Sequence, residues 1–332
     1  MKNVAVLGTG SWGTALAFHL ANAGHDVRLW GRNPDLIEEM KVRRANAVYL
    51  PDIVLPAGVA PTVSLEEALR RADIVLAALP SHGTRAVIRA AAPFIPRQAL
   101  IVSATKGIEQ DTLLRISEVI AQEVRGARPV AVLSGPSFAV EVARRLPTAV
   151  SVACADPILA EDVQREFRAA YLRLYATTDV VGVEVGGALK NIIAIAAGVV
   201  EGLGLGQNAL AALITRGLAE ITRLACAVGG RRETLAGLSG LGDLVLTCTG
   251  SLSRNRHVGI ELAHGRPIAE VVAGMKMVAE GVKTTTAALA LGRRHGVELP
   301  IATQMADVLA GNRSAAAAVE ELMLRPQKTE VT

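Results

Sequence analysis

Val4-Ala5-Val6-Leu7-Gly8-Thr9-Gly10-Ser11-Trp12-Gly13 is a four-residue apolar run that breaks directly into G-x-G-x-x-G. A short, uninterrupted apolar run bounded by glycine is the pattern of a strand buried on both faces. Thr14 to Ala23 then carries a helical pattern closed by Gly24, so the glycines sit between a strand and a helix. There each has a physical task. One makes the tight turn, one lets backbone N–H groups approach a pyrophosphate, and one allows close helix–strand packing. The helix N-terminus adds partial positive charge for the anion. The stretch predicts a dinucleotide-binding turn, with Gly8, Gly10, Ser11, Trp12 and Gly13 as cofactor-binding residues.

Outward from this turn the first half keeps the same alternation. Val27 to Trp30 predicts the next strand, followed by a helix with Asn33 as cap and Pro34 at its first position. Strands are predicted at Ile74 to Leu79, Leu100 to Ser103, Val130 to Leu133, Ala149 to Ala153 and Leu172 to Ala176, with helical patterns between most of them. This alternation predicts parallel βαβ units in a doubly wound, Rossmann-like α/β sheet. After Asp179 the β signals stop. Asn208 to Ala227 places Leu210, Leu213, Ile214, Leu218, Ile221 and Leu224 at helical spacing, and further helices are predicted at 254–264, 282–295, 300–310 and 314–323. The expected organisation is a dinucleotide-binding domain over 1–179, an all-α substrate domain over 180–325, and a frayed tail over 326–332.

Composition narrows the function. The 332 residues are 51% apolar, 20% charged and 3% aromatic, which excludes a disordered, collagen-like or disulfide-scaffold protein. A net charge of +4 with scattered Arg-Arg pairs and few aromatics is unlike a nucleic-acid binder, and suits small anions. Cys154, Cys226 and Cys248 lack metal-ligand or CxxC spacing, so they are expected as buried free thiols in a reducing, cytoplasmic compartment with no metal site. Val4 to Leu7 is too short for a signal-peptide core, and Ile192 to Val200, closed by Glu201, is too short for a membrane span. No membrane insertion is expected.

The second strand ends Leu29-Trp30-Gly31-Arg32-Asn33. An NAD-selective site usually has an acid there for the ribose 2′-OH, whereas a guanidinium pairs bidentately with a 2′-phosphate. Arg32 therefore favours NADP(H), with NAD(H) still able to bind.

The second half opens Gly186-Gly187-Ala188-Leu189-Lys190-Asn191-Ile192-Ile193-Ala194-Ile195-Ala196-Ala197-Gly198. Burying a lysine among small apolar residues disfavours its ammonium form, and a lysine with such an adaptable pKa can exchange a proton with a carbinol oxygen. Asn191 is placed to orient the substrate or the amine. Other stretches stand out: Ser103-Ala104-Thr105-Lys106-Gly107-Ile108-Glu109, Ser134-Gly135-Pro136-Ser137-Phe138-Ala139, Leu238 to Thr249, Ser253-Arg254-Asn255-Arg256 and Val278-Ala279-Glu280-Gly281. Together, and in this order, they resemble the NAD(P)-dependent sn-glycerol-3-phosphate dehydrogenases of bacterial type. The resemblance runs over nearly the whole chain.

That resemblance implies reversible NAD(P)H-dependent reduction of dihydroxyacetone phosphate to sn-glycerol 3-phosphate, in supply of phospholipid synthesis. It implies Lys190 as the catalytic proton donor and acceptor, Lys106 near both cofactor and substrate, and Asp243 as an acid that contacts substrate and sets the lysine's state. It implies Ser253, Arg254 and Asn255 as the substrate-phosphate and cofactor loop, and Gly135, Ser137 and Ala139 as the loop joining the two ligands. Val278 and Glu280 are implied as late cofactor contacts, and Thr247 as a substrate-side residue. Independently, a phosphate dianion requires donors such as Arg254 and a helix start capped by Ser253, and Thr247 shares a helix face with Asp243 at i+4. The alternatives are a ketopantoate-type or other two-domain hydroxyacid reductase, and a non-catalytic NADP(H) sensor. A homodimer is compatible with the alanine-rich helical half. Replacing Arg32 with alanine is expected to raise the KM for NADPH at least tenfold more than that for NADH, in steady-state assays with each nucleotide; equal changes would refute the role of Arg32.

Overall fold

The apolar runs become strands of one eight-stranded sheet in the computed structural model, which describes residues 1–124, 126, 129–275, 279–327 and 329. Along β1 (Asn3–Leu7) side chains alternate between two cores, Val4 and Val6 entering one and Leu7 and Ala5 the other. Such a strand has no solvent face, so its sequence shows no polar alternation. The chain continues through β2 (Asp26–Trp30), a hairpin of β3 (Ala45–Asn46) and β4 (Leu50–Val54), then β5 (Val59–Thr62), β6 (Ile74–Ala77), β7 (Leu100–Ser103), β8 (Ala131–Ser134), β9 (Thr148–Ala153) and β10 (Leu172–Thr177). The sheet order is β10-β9-β8-β7-β6-β1-β2-β5. Between the strands lie α1 (Ser11–Asn22), α2 (Pro34–Arg43), α3 (Leu65–Leu69), α4 (Thr84–Ala91), α5 (Ile116–Glu123), α6 (Ala139–Ala143) and α7 (Pro157–Glu166). Asn33 caps α2 as expected, its side chain accepting from the backbone N–H groups of Asp35 and Leu36.

Two features depart from the expected parallel sheet. β9 runs antiparallel to β8, with Val132 opposite Ala153 and Ser134 opposite Ser151. The connection between them carries only the five-residue α6, which packs on α1; the chain therefore re-enters the sheet at the edge it left, without a full crossover. The β3–β4 hairpin and β5 went unpredicted because Pro51 and Pro61 interrupt their strand patterns.

The chain builds β1, β2 and β5 to one side, then returns to lay β6 on the other flank of β1. In an open α/β sheet that reversal opens the ligand crevice at the carboxyl ends of the strands. Register makes the edge even: Leu7 pairs with both Trp30 and Ala77, and Ala77 with Ser103. The loops starting at Gly8, Gly31, Ala78 and Ala104 thus leave the sheet side by side.

Beyond Thr177 the described residues form helices only: α8 (Val180–Gly202), α9 (Gly206–Ala227), α10 (Arg232–Leu235), α11 (Asp243–Thr249), α12 (Arg254–Ala263), α13 (Ile268–Ala273), α14 (Glu280–Arg294), α15 (Pro300–Leu309) and α16 (Ala315–Met323). A π-helical turn, Leu238–Gly242, runs directly into α11. α8 is buried on every face over most of its length and is the core of this half. By length and composition α8 is long enough to reach across a bilayer, contrary to the short span expected from Ile192 to Val200; 89% of its most apolar window is instead buried inside the protein. α12 lies directly on its backbone, since a Cβ on Gly198 would fall 1.9 Å from the Arg256 carbonyl oxygen. Cys226 departs from expectation: it is exposed, while Cys154 and Cys248 are buried. It lies on the side of α9 away from the buried Ile221, Leu224 and Ala225. The expected tail falls largely outside the described residues, at 328 and 330–332.

A buried carboxylate ties α8 to the start of α5. Glu184 accepts from Arg115 Nη1 at 2.7 Å, Ser117 Oγ at 2.6 Å and Ser117 N at 2.8 Å. Burial pushes its carboxyl pKa up, against the pull of Arg115 and Ser117. Glu184→Ala would leave the buried Ser117 N–H and hydroxyl without their acceptor, while Arg115 keeps Glu118, so it is expected to lower unfolding free energy by about 2 kcal/mol in guanidinium titrations; a change near zero would refute this tie.

Candidate active site

The phosphate turn has the shape its sequence requires. Gly8 has φ +120°, and a Cβ there would stand 2.4 Å from the Ala78 carbonyl oxygen; one on Gly13 would stand 2.0 Å from that of Gly8. Only glycine allows both contacts. Gly10 faces open space, with no atom within 4 Å of a Cβ position. It precedes α1 without any side-chain cap, which leaves the positive end of a twelve-residue helix open to an anion. A dinucleotide pyrophosphate fits this cradle. Ser11 donates from Oγ to the Tyr49 carbonyl at 2.8 Å, which fixes the turn from beneath. Trp12 packs in the small cluster that also takes Ala139, and its buried Nε1 has no protein partner. Arg32 is exposed beyond β2, with no hydrogen bond or ion pair among the described residues.

On the neighbouring loops the two halves meet around one carboxylate. Asp243, 1% exposed, receives Lys190 Nζ on Oδ1 and Lys106 Nζ on Oδ2, the latter at 2.7 Å. Lys190 also donates to Thr247 Oγ1 at 2.8 Å, and Thr247 donates to the Asp243 carbonyl at 2.6 Å. The i+4 spacing expected to place Asp243 and Thr247 on one helix face does so. Lys106 further donates to the Gly135 carbonyl at 3.2 Å, which also accepts from Ser137 Oγ at 2.9 Å. Lys106, Gly135, Ser137, Lys190, Asp243 and Thr247 are thus one connected set.

Burial lowers the Lys190 pKa to about 7, opposed by Asp243 and reinforced by the nearby Lys106 charge. The desolvation outweighs the ion pair because Lys190 is almost wholly shut off from water, and Lys106 competes for the same carboxylate. An amine balanced in this way can give or take a proton near neutrality.

The remaining residues sit on two adjoining helix starts. Ser253 caps α12, accepting on Oγ from Arg256 N at 3.3 Å. Asn191 is turned onto Asn255, whose Nδ2 donates to Asn191 Oδ1 at 2.9 Å, while Asn255 Oδ1 accepts from Gly281 N at 3.0 Å. Arg254 is reached by solvent, yet the surrounding protein desolvates its guanidinium enough to lower its pKa, against the pull of Glu280. Val278 lies outside the described residues. Two groups escaped the sequence reading. The Ser81 hydroxyl holds Glu280, and Ser134 buries a hydroxyl without a protein partner beside Gly187. Ser81 belongs to no motif and Ser134 only opens the stretch before Gly135, so only their neighbours reveal them.

The two halves, the glycine cradle and the paired lysines coincide with two family models. Residues 3–160 match the NAD-dependent glycerol-3-phosphate dehydrogenase N-terminus, and residues 179–320 match the C-terminus of the same enzymes. The chain belongs to the NAD-dependent glycerol-3-phosphate dehydrogenase family. It is 53% identical over 274 residues to glycerol-3-phosphate dehydrogenase (NAD(P)+) of Geobacter sp. (strain M21), covering 82% of each chain. Its fold is similar to the crystal structure of glycerol-3-phosphate dehydrogenase from Coxiella burnetii, with a TM-score of 0.94 and 41% identity over 98% of this chain and 99% of that one. The Saccharomyces cerevisiae glycerol-3-phosphate dehydrogenase is more distant, with a TM-score of 0.82 and 26% identity over 96% and 98% of the two chains. Within the family, use of NAD(P)(H) agrees with the open cradle at Gly10.

Among nearby charges, Asp243 does most to raise the Lys190 pKa. Asp243→Asn leaves burial and Lys106 repulsion, both of which lower it. The Lys190 midpoint is expected to fall by about 1 unit or more below 7, followed by NMR of the lysine side chains; an unchanged midpoint would show that Asp243 does not set it.

Proposed function

We propose that the protein reduces dihydroxyacetone phosphate reversibly to sn-glycerol 3-phosphate with NADPH, and less readily with NADH. The observation that carries this reading is the Lys190–Asp243–Lys106 constellation, seated where the phosphate turn and the helical half converge. When bound, the nicotinamide supplies the hydride to the carbonyl carbon of the substrate. Lys190 gives its ammonium proton to the carbonyl oxygen as charge develops there, and Lys106 polarises the same oxygen. Asp243 keeps both amines oriented, and Thr247, one turn further along the same helix face, holds Lys190 as well. Arg254 and the N-terminus of α12, capped by Ser253, receive the substrate phosphate, with Asn255 and Asn191 bracing that helix against α8.

Gly8, Gly10, Ser11, Trp12 and Gly13 hold the dinucleotide, with Ala139 and Glu280 along its course. Arg32, exposed and without a protein partner among the described residues, supports preference for the 2′-phosphate. We further propose the division 1–179 and 180–325 between nucleotide and substrate domains, which the last strand ending at Thr177 and the family matches support. Supply of glycerol phosphate for phospholipid synthesis in the cytoplasm follows from this reading. A homodimer is proposed as its assembly.

Steady-state assays with dihydroxyacetone phosphate and each reduced nucleotide test the reaction directly. Lys190→Ala is expected to keep NADPH affinity within about threefold while kcat falls by at least ~100-fold, the scale of general acid catalysis; near-normal turnover would refute the role. Because Lys190 must be protonated to reduce, kcat/KM for reduction should fall as pH rises through about 7. Oxidation needs the neutral amine and should rise over the same interval. Parallel limbs in both directions would exclude Lys190 as the proton carrier.

A further inference from the structure

The loop after β6 meets the helical half through a serine with no assigned role, bonded to the Glu280 carboxylate expected along the cofactor. Ser81 is 4% exposed, and it holds both oxygens of the Glu280 carboxylate. Its backbone N–H donates to Oε1 at 3.1 Å and its hydroxyl to Oε2 at 2.6 Å. The approach is shaped for this pairing, because a Cβ on Gly107 (φ +149°) would stand 2.5 Å from Ser81 Cβ and 3.6 Å from Glu280 Oε2. The Lys106–Gly107 loop therefore closes over the Ser81–Glu280 pair.

On its other side, Glu280 begins α14 directly beside the start of α12. Gly281 N donates to Asn255 Oδ1 at 3.0 Å, so the residues preceding each, Glu280 and Arg254, stand on abutting helix starts. Arg254 makes no hydrogen bond or ion pair among the described residues, although a carboxylate lies near enough to act on its charge. A carboxylate beside a guanidinium ordinarily closes onto it in a bidentate pair. Here Ser81 engages both oxygens with short, charge-assisted donors from across the crevice.

We propose that Ser81 is a positioning residue that parks the Glu280 carboxylate against the nucleotide half, keeping the Arg254 guanidinium open for the phosphate of the substrate. This rests on the reading of Arg254 as the phosphate receiver. Without the Ser81 hydroxyl, Glu280 swings onto Arg254 and competes with the incoming dianion. The consequence lies in substrate affinity and not in proton transfer, since neither Ser81 nor Glu280 contacts Lys190.

The test is calorimetric binding of sn-glycerol 3-phosphate, and separately of inorganic phosphate, to the full chain without nucleotide, so that no turnover contributes. Ser81→Ala is expected to weaken both at least fivefold, and in turnover assays to raise KM for dihydroxyacetone phosphate with kcat held within twofold. Adding Glu280→Gln removes the competing charge, so the double variant should regain the phosphate affinity of Glu280→Gln alone. A merely structural role for Ser81 would show no such rescue. Equal affinities in wild type and Ser81→Ala, or a double variant as weak as Ser81→Ala, would overturn the proposal. Should Ser81→Ala not fold, Glu280→Gln decides alone: it should bind inorganic phosphate at least as tightly as wild type, and weaker binding would refute the competition. Wild type that binds inorganic phosphate but not sn-glycerol 3-phosphate would overturn the proposed substrate, while the phosphate arms still judge Ser81.

Discussion

Two ammonium groups share one buried carboxylate, and the architecture is arranged to make that sharing stable. Lys106 comes from the loop after β7, Lys190 from the middle of α8, and Asp243 from the first turn of α11. A charged pair so far from water is tolerable only when geometry is good and each remaining donor is satisfied. Thr247 and the Gly135 carbonyl supply the extra partners. Removing the central carboxylate would leave two amines facing each other without the charge that holds them, so the halves of the molecule are fastened at the proposed site of chemistry.

The rest of the fold can be understood as support for this arrangement. The even edge formed by Leu7, Trp30, Ala77 and Ser103 presents the nucleotide cradle and the Lys106 loop together. α8 carries Lys190 rigidly because it is packed on every side, and its tie to the start of α5 runs through Glu184, Arg115 and Ser117. The π-helical turn before α11 shifts the helical phase at Asp243, a device frequent at functional sites. Ser81 and Glu280 add another polar crossing between the halves, beside the helix start proposed to receive the substrate phosphate.

Much of this was legible in the chain. Val4 to Leu7 and Ile74 to Ala77 have no polar alternation because both sheet faces are covered, and that pattern survives in one dimension. Asn33-Pro34 announced a capped helix because capping is a contact between near neighbours. The reversal of β9 was not legible, because strand direction depends on where α6 packs and not on the composition of either strand. β5 was hidden by Pro61, and the exposure of Cys226 by its position on one side of a helix whose burial depends on its neighbours.

The sequence by itself determined the period of the elements, the glycine turn, and the residue types able to bind anions and move a proton. All of these are encoded over a few consecutive positions by sterics and solvation. Only the tertiary structure decided that Lys106 and Lys190 contend for the same Asp243, that Asn191 faces Asn255, and that Ser81 holds Glu280. These partners lie 137, 53, 64 and 199 residues apart in the chain. Over such separations no local preference selects a partner, and the choice is made by how sheet and helices pack.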